Sequence, residues 1–117
     1  MDEKSLQYLT WEVLILKVSK SFEVFESEAP EVQSAWMEMV KKIDKASALD
    51  KKTEELSYIS VLAALGLESG LPFHVLMAKS NGASRDEIIS SVLVGLPAVG
   101  SKVMSSLPIA LEAYDTH

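Results

Sequence analysis

Residues 50–74 read DKKTEELSYISVLAALGLESGLPFH. Asp50 is a residue type that caps helix N-termini with its carboxylate. From Tyr58 onward the stretch is apolar on nearly every side, with Tyr58, Ile59, Val61, Leu62, Ala63, Ala64 and Leu65. A helix apolar all round is a buried one, so the spacing predicts a buried helix beginning after Asp50. Gly66 and the segment Leu67-Glu68-Ser69-Gly70 end it. Pro72 suits the first turn of the next helix, which runs over about Leu71–Ser80. The quoted stretch is a helical hairpin.

Working outward, Asn81-Gly82 reads as a left-handed C-cap, and Ser84-Arg85-Asp86-Glu87 as a capping box. A fifth helix carries Ile88, Ile89, Val92, Leu93 and Leu96 on one stripe and is interrupted by Pro97. A last helical stretch, about Ala98 to Tyr114, must kink or break near Pro108. Upstream, Leu6, Leu9, Val13, Leu16, Phe22 and Phe25 recur mostly at spacings of three and four. They predict one amphipathic helix over residues 5–25. Pro30 opens another, to about Lys45, with Val32, Trp36, Met39, Val40 and Ile43 on one face. No strand pattern competes, and no linker or repeat interrupts. The expectation is an all-α, single-domain helical bundle of five to six helices.

The chain has 117 residues, of which 48% are hydrophobic. That fraction leaves surplus apolar surface on so small a domain, and a subunit contact is the usual way to bury it. Trp36 and the Phe22/Phe25 pair read as core or interface anchors. The net charge of −6 argues against nucleic acid and anionic membrane as partners, since both require clustered Lys and Arg. Lys41, Lys42 and Lys45 alternate with Asp44 and read as a solvated face.

The sequence has no cysteine, which excludes disulfides, thiolate catalysis and Cys–zinc sites. Its two histidines are His74 and the terminal His117, so no metal site is expected, and no cofactor. The N-terminus Met-Asp-Glu-Lys lacks the basic and apolar regions of a secretory signal. The longest apolar stretch, Tyr58 to Leu67, is about half of a membrane span. A cytoplasmic location is the resulting expectation.

The hairpin brings two chemical groups together. Glu55 lies ~16 Å before Gly66 along one arm, and His74 lies ~6–12 Å beyond Gly70 along the other, at 1.5 Å per helical residue. A carboxylate and an imidazole can therefore face each other within hydrogen-bond reach, with Glu68 and Ser69 at the mouth of the turn. Both groups share helical faces with apolar residues, Glu55 with Tyr58, Ile59 and Leu62, and His74 with Leu71, Met77 and Ala78. Such a pair suits general acid–base work near neutral pH. The blander readings are a core histidine satisfied by a neighbour, a Glu55 that favours its helix dipole, and a solvated Glu68. Ser101, Ser105 and Ser106 lie in no nucleophile motif.

Leu49-Asp50-Lys51-Lys52-Thr53-Glu54-Glu55-Leu56 resembles the LDPKTREL entry of the carboxymuconolactone decarboxylase-like family, a superfamily that also holds the alkyl hydroperoxidase D-like proteins. The resemblance continues through Gly66, His74, Asn81-Gly82-Ala83-Ser84 and Asp86-Glu87-Ile88. Upstream it takes in Phe22, Phe25, Ala29-Pro30-Glu31-Val32 and Ala35-Trp36. It covers about residues 20–115, so residues 1–20 read as an N-terminal helical extension and 21–117 as the family domain. The resemblance implies an alkyl hydroperoxidase D-like helical fold and ring-like homo-oligomers, trimers or hexamers.

In the hydroperoxidase branch the pattern is Glu, Cys-x-x-Cys, His, which falls on Glu55, Leu67, Gly70 and His74. Both cysteine positions are substituted, so thiol peroxidase or peroxiredoxin-type activity is disfavoured. The decarboxylase branch lacks those cysteines, and its turn resembles Gly66–His74. That branch removes CO2 from a carboxylated muconolactone without a cofactor. By resemblance His74 is the proton donor or the partner of the substrate carboxylate, Glu55 orients it, and Glu68 is a second polar group at the mouth. An anionic substrate also calls for a cation. Lys51, Lys52 and Lys79 are the candidates, presented from a neighbouring subunit.

Two functions follow. The first is a cofactor-free lyase acting on a small carboxylated lactone or similar acidic metabolite. The second is a non-catalytic oligomeric member that binds a ligand or serves as a scaffold. The retained Glu–His spacing favours the first, and the missing thiols and basic group favour the second.

Overall fold

Asp50 caps the helix that anchors the interior: its Oδ1 accepts the Thr53 N–H at 2.8 Å. A computed structural model describes residues 19–117. In chain order the helices are α1 (Lys20–Glu28), α2 (Pro30–Ala46), α3 (Lys51–Leu65), α4 (Leu71–Ser80), α5 (Arg85–Leu93), α6 (Leu96–Val99) and α7 (Ser106–Thr116). Short 3-10 turns at Glu68–Gly70 and Gly100–Ser105 precede α4 and α7. There is no strand among the described residues. The protein is an all-α bundle, as its periodicity predicts, with six helices of nine residues or more and the single-turn α6 among the described residues.

The core sits between α3, α4, α5 and α7. Ile59, Leu71, Val75, Ile88, Val92 and Ala110 are fully buried there, and Val103 of the second 3-10 turn joins them. Fully burying one such side chain is worth about 1.5–3 kcal/mol. Polar groups lock the frame at its edges. Ser84 and Glu87 form the predicted capping box. The Ser60 hydroxyl donates to the Ser91 carbonyl at 2.7 Å, tying α3 to α5. Arg85 on α5 holds Asp115 on α7 through two bonds of 2.9 and 3.0 Å.

Four expectations change. The α3 helix is not buried all round. Ile59, Leu62 and Ala63 face inward, while Tyr58, Val61 and Leu65 stand about half exposed. Neighbouring helices among the described residues cover one side of α3. A single helix over 5–25 does not hold either. Ser19 is in extended conformation and its Oγ accepts the Phe22 N–H at 3.2 Å, so α1 starts afresh at Lys20. The remainder of that expected helix, and the N-terminal extension with it, lies outside the described residues.

Pro97 opens α6 rather than interrupting α5. The break comes earlier, at Val94–Gly95, because a residue without an N–H is tolerated in a first turn. Pro108 likewise lies in the first turn of α7. The break expected there falls at Gly100, whose φ of +78° ends α6.

The run Arg85–Thr116 is apolar enough over 18 residues to resemble a membrane span, with a mean hydropathy of 1.5. It is instead broken into α5, α6, a 3-10 turn and α7. The longest unbroken helix within it has 11 residues, against the roughly 20 that a span needs.

Among the described residues, the two helices of the α1–α2 hairpin pack mainly on each other. Phe22, Phe25 and Trp36 form an aromatic cluster with ring centroids 5.5–6.4 Å apart. No residue of either helix is buried, and Val32, Trp36, Met39, Val40 and Ile43 all remain exposed.

Candidate acid–base site

The α3–α4 turn decides where the two chemical groups meet. Gly66 adopts φ +71° as the left-handed cap of α3, a conformation that costs an L-residue with a Cβ about 1–2 kcal/mol. The 3-10 turn Glu68–Gly70 then feeds α4, whose Pro72 sits in the first turn. This reversal lays α4 back along α3 and sets His74 beside Glu55. His74 Nδ1 lies 2.8 Å from Glu55 Oε2, as the hairpin spacing predicts, and the ring N–H donates when the carboxylate is ionised.

Glu55 is buried, with only 6% of its surface exposed. A buried carboxylate must be fully paired, and this one is. Its second oxygen, Oε1, receives Lys51 Nζ at 3.3 Å from one turn earlier on α3. Lys51 in turn reaches Asp44 Oδ1 on α2 at 3.2 Å. Burial opposes the Lys51 ammonium, but the hydrogen bond to Asp44 and the charge of Glu55 outweigh it and hold the lysine above its ordinary pKa. Asp44 is held below the ordinary carboxylate range, first by its hydrogen bond with Glu54 and then by Lys51. The same contact with Asp44 raises Glu54.

The imidazole is fixed by aromatic neighbours. The Tyr58 ring stacks on it at 4.1 Å between centroids and 27° between planes. Phe73 meets it edge-on at 5.2 Å. His74 Nε2 has no hydrogen-bond partner among the described residues, and the His74 side chain is 22% exposed. Ser106 Oγ is the one buried side-chain polar atom without a partner among the described residues. A ring with one nitrogen tied to a carboxylate and the other without a described partner can pass a proton between His74 and a bound molecule.

The structure separates Glu68 from this pair. Glu68 Oε1 accepts the Ser105 hydroxyl at 2.7 Å, on the 3-10 turn before α7, and makes no hydrogen bond to Glu55 or His74. The expected source of the cation also changes. Lys51 reaches the pair within its own subunit, because a residue four positions ahead on a helix shares its face. Lys52 is engaged by Glu87 at 2.9 Å, and Lys79 donates to the Tyr114 carbonyl at 2.7 Å. The sequence offers Lys51 only as a cation presented by a neighbouring subunit and Tyr58 only as sharing the Glu55 face, not as the partners of Glu55 and His74 that they are. The i,i+4 and i,i+3 offsets from Glu55 were the available signal. Among the described residues no group of three or more acidic or His side chains has metal-binding geometry.

No curated protein and no solved structure gives a significant match to the chain. A family model does match, over residues 30–112, from the first residue of α2 into α7. It spans both arms of the hairpin, including Glu55 and His74, and on that match the chain belongs to the carboxymuconolactone decarboxylase family.

Proposed function

We propose that this protein is a cofactor-free, acid–base lyase that decarboxylates a small carboxylated lactone or a similar acid at Glu55 and His74. The observation that carries this reading is the 2.8 Å contact between Glu55 and His74 Nδ1, on an imidazole whose side chain is 22% exposed. In such a reaction the bond from carbon to carboxylate breaks, CO2 leaves, and the electron pair delocalises into the lactone. The imidazolium of His74 then delivers its Nε2 proton to that carbon, while Glu55 stabilises the cationic ring through Nδ1. Solvent returns the proton to Nε2. Glu68, bonded to Ser105 at the hairpin turn, serves at the mouth and not in the proton transfer.

The working unit in this proposal is a homo-oligomer, a trimer or hexamer, in the cytoplasm. The exposed apolar face of α2 and the outer face of α3 supply the surface that such an assembly would bury.

A second reading is a non-catalytic oligomeric member that binds a ligand or acts as a scaffold. It is favoured by the engagement of Lys51, which already lies between two carboxylates and is a poor clamp for a third. Turnover separates the two readings. Release of CO2 from carboxylated muconolactones, lost in His74→Gln, is the result expected of the lyase. Absence of turnover across a panel of carboxylated lactones, with the fold intact, selects the scaffold.

A further inference from the structure

Glu55 divides its two oxygens between two partners, and the division has a chemical consequence. Oε2 lies 2.8 Å from His74 Nδ1 and Oε1 takes the Lys51 ammonium at 3.3 Å. We propose that Lys51, anchored on α2 by Asp44 at 3.2 Å, is a positioning residue that keeps Glu55 a pure acceptor and so commits His74 to carrying its exchangeable proton on Nε2. The inference rests on the acid–base reading of the same pair.

The physical argument concerns where one proton resides. When the pair holds one proton beyond a carboxylate and a neutral ring, two arrangements compete. In one, Glu55 is ionised and His74 is an imidazolium with both nitrogens protonated. In the other, the proton sits on Glu55, which donates to Nδ1 and leaves a neutral ring with the hydrogen on Nε2. Only the first makes Nε2–H a useful acid. A buried carboxylate with an unpaired oxygen drifts toward the second, because burial penalises the charged form. The Lys51 charge at Oε1 favours the first.

Asp44 makes the clamp firm by holding the same ammonium at 3.2 Å. Among the described residues the titratable groups at the clamp are Asp44 and its neighbour Glu54, Lys51 itself, and Glu55, Tyr58 and His74. Lys52 and Lys79 have partners elsewhere. Lys51 also occupies the place of the proline in LDPKTREL, and Glu54 the place of the arginine. The clamp is thus a feature of this chain's own residues, absent from the motif.

The test is 15N NMR of the His74 ring nitrogens across pH in the full chain, compared with Lys51→Met, Lys51→Arg and Asp44→Asn. It requires no substrate. The wild type is expected to show Nδ1–H with a bare Nε2 at high pH, and a fully protonated ring at low pH. In K51M a substantial share of the neutral ring should move to Nε2–H, K51R should restore the wild-type pattern, and D44N should fall between. Where turnover of a carboxylated lactone is measurable, kcat should drop roughly tenfold or more in K51M with KM little changed. An Nδ1–H ring in K51M indistinguishable from wild type overturns the clamp and leaves the lyase reading standing. Turnover absent from the wild type overturns the lyase reading, whatever the ring shows. If K51M fails to fold, D44N and K51R decide: identical ring spectra in those two overturn the proposal.

Discussion

Glu55 on α3 and His74 on α4 meet at 2.8 Å although nineteen positions separate them in the chain. The contact exists because the hairpin reverses through one left-handed glycine and a single 3-10 turn. Each partner also lies one helical turn from core residues, Glu55 from Ile59 and His74 from Leu71 and Ala78. The pair is held by the packing of the bundle and needs no loop to close over it.

Glu55→Gln isolates the charge of the pair. The amide fills the same space but can donate as well as accept, so it no longer dictates which ring nitrogen carries the hydrogen. NMR should show the His74 ring in mixed tautomers, and turnover should fall about 100-fold, within the range of acid–base catalysis. His117, at the chain end, serves as the reference signal. A ring that behaves identically in the two proteins would remove Glu55 from any role in proton transfer.

Tyr58 acts through its ring face, and its hydroxyl makes no hydrogen bond to the pair. Tyr58→Phe should keep turnover within about twofold, since the stacked ring survives. Tyr58→Ala frees the imidazole to rotate, and kcat should fall about tenfold or more through lost orientation. Equal losses in both variants would mean that the hydroxyl matters and the stack does not.

The tie between Arg85 and Asp115 predicts an acid dependence of stability. Hydrogen bonding to Arg85 and then its charge hold the Asp115 carboxyl below its ordinary value of 3.8, partly offset by burial. A carboxyl depressed in the folded state stabilises above its unfolded pKa, and that contribution is lost as pH falls through the folded one. Asp115→Asn should therefore lower Tm at pH 7. The gap to wild type should close as the pH drops below the ordinary carboxyl value of 3.8. A constant gap across that range would show that the side chain acts through packing alone.

Gly66→Ala probes the reversal itself. The added Cβ must adopt φ +71° and would come within 3.1 Å of Lys102 Cε. The left-handed backbone alone costs about 1–2 kcal/mol, read as a lower denaturant midpoint at unchanged m-value. The lysine end can swing away, so the backbone dominates. Unaltered stability would mean that the turn accommodates another conformation.

Trp36→Glu tests the assembly. Trp36 is 41% exposed on a face shared with Val32, Met39 and Ile43, and aromatic anchors dominate interface energetics. Light scattering should show the mass of the wild type as a small multiple of the 12.8 kDa chain and that of the variant shifted to the single chain. A monomeric wild type would refute the oligomer.

Much of this was legible in the sequence because its helix signals are local. Asp50, Gly66, Pro72, Gly82 and the Ser84–Glu87 box each act within one turn, and each marks a boundary where the structure has one. The Glu55–His74 contact followed from rise per residue alone. Exposure was less legible. Tyr58, Val61 and Leu65 look like core by composition, yet a helix in a small bundle has only one covered side. The partner of Glu68 was not legible, because Ser105 lies 37 positions away. No periodicity encodes a contact between two 3-10 turns. Proline signals a break inside a helix, whereas Pro97 and Pro108 sit in the first turns of α6 and α7, and Gly100 ends α6.

The α1–α2 hairpin, none of whose residues is buried, carries one anchor of the site. Asp44 belongs to the last turns of α2, and Lys51 to the first turn of α3. Local unfolding of α2 from its C-terminal end would strip the ammonium of one anchor while α3 and α4 stay folded, since regions with little buried apolar surface open at far lower free energy than a core. Whatever settles on the exposed face of α2 and damps that fraying would then set how firmly Lys51 grips Glu55. The hairpin with the least to contribute to stability is thus the one through which a neighbour can address the histidine.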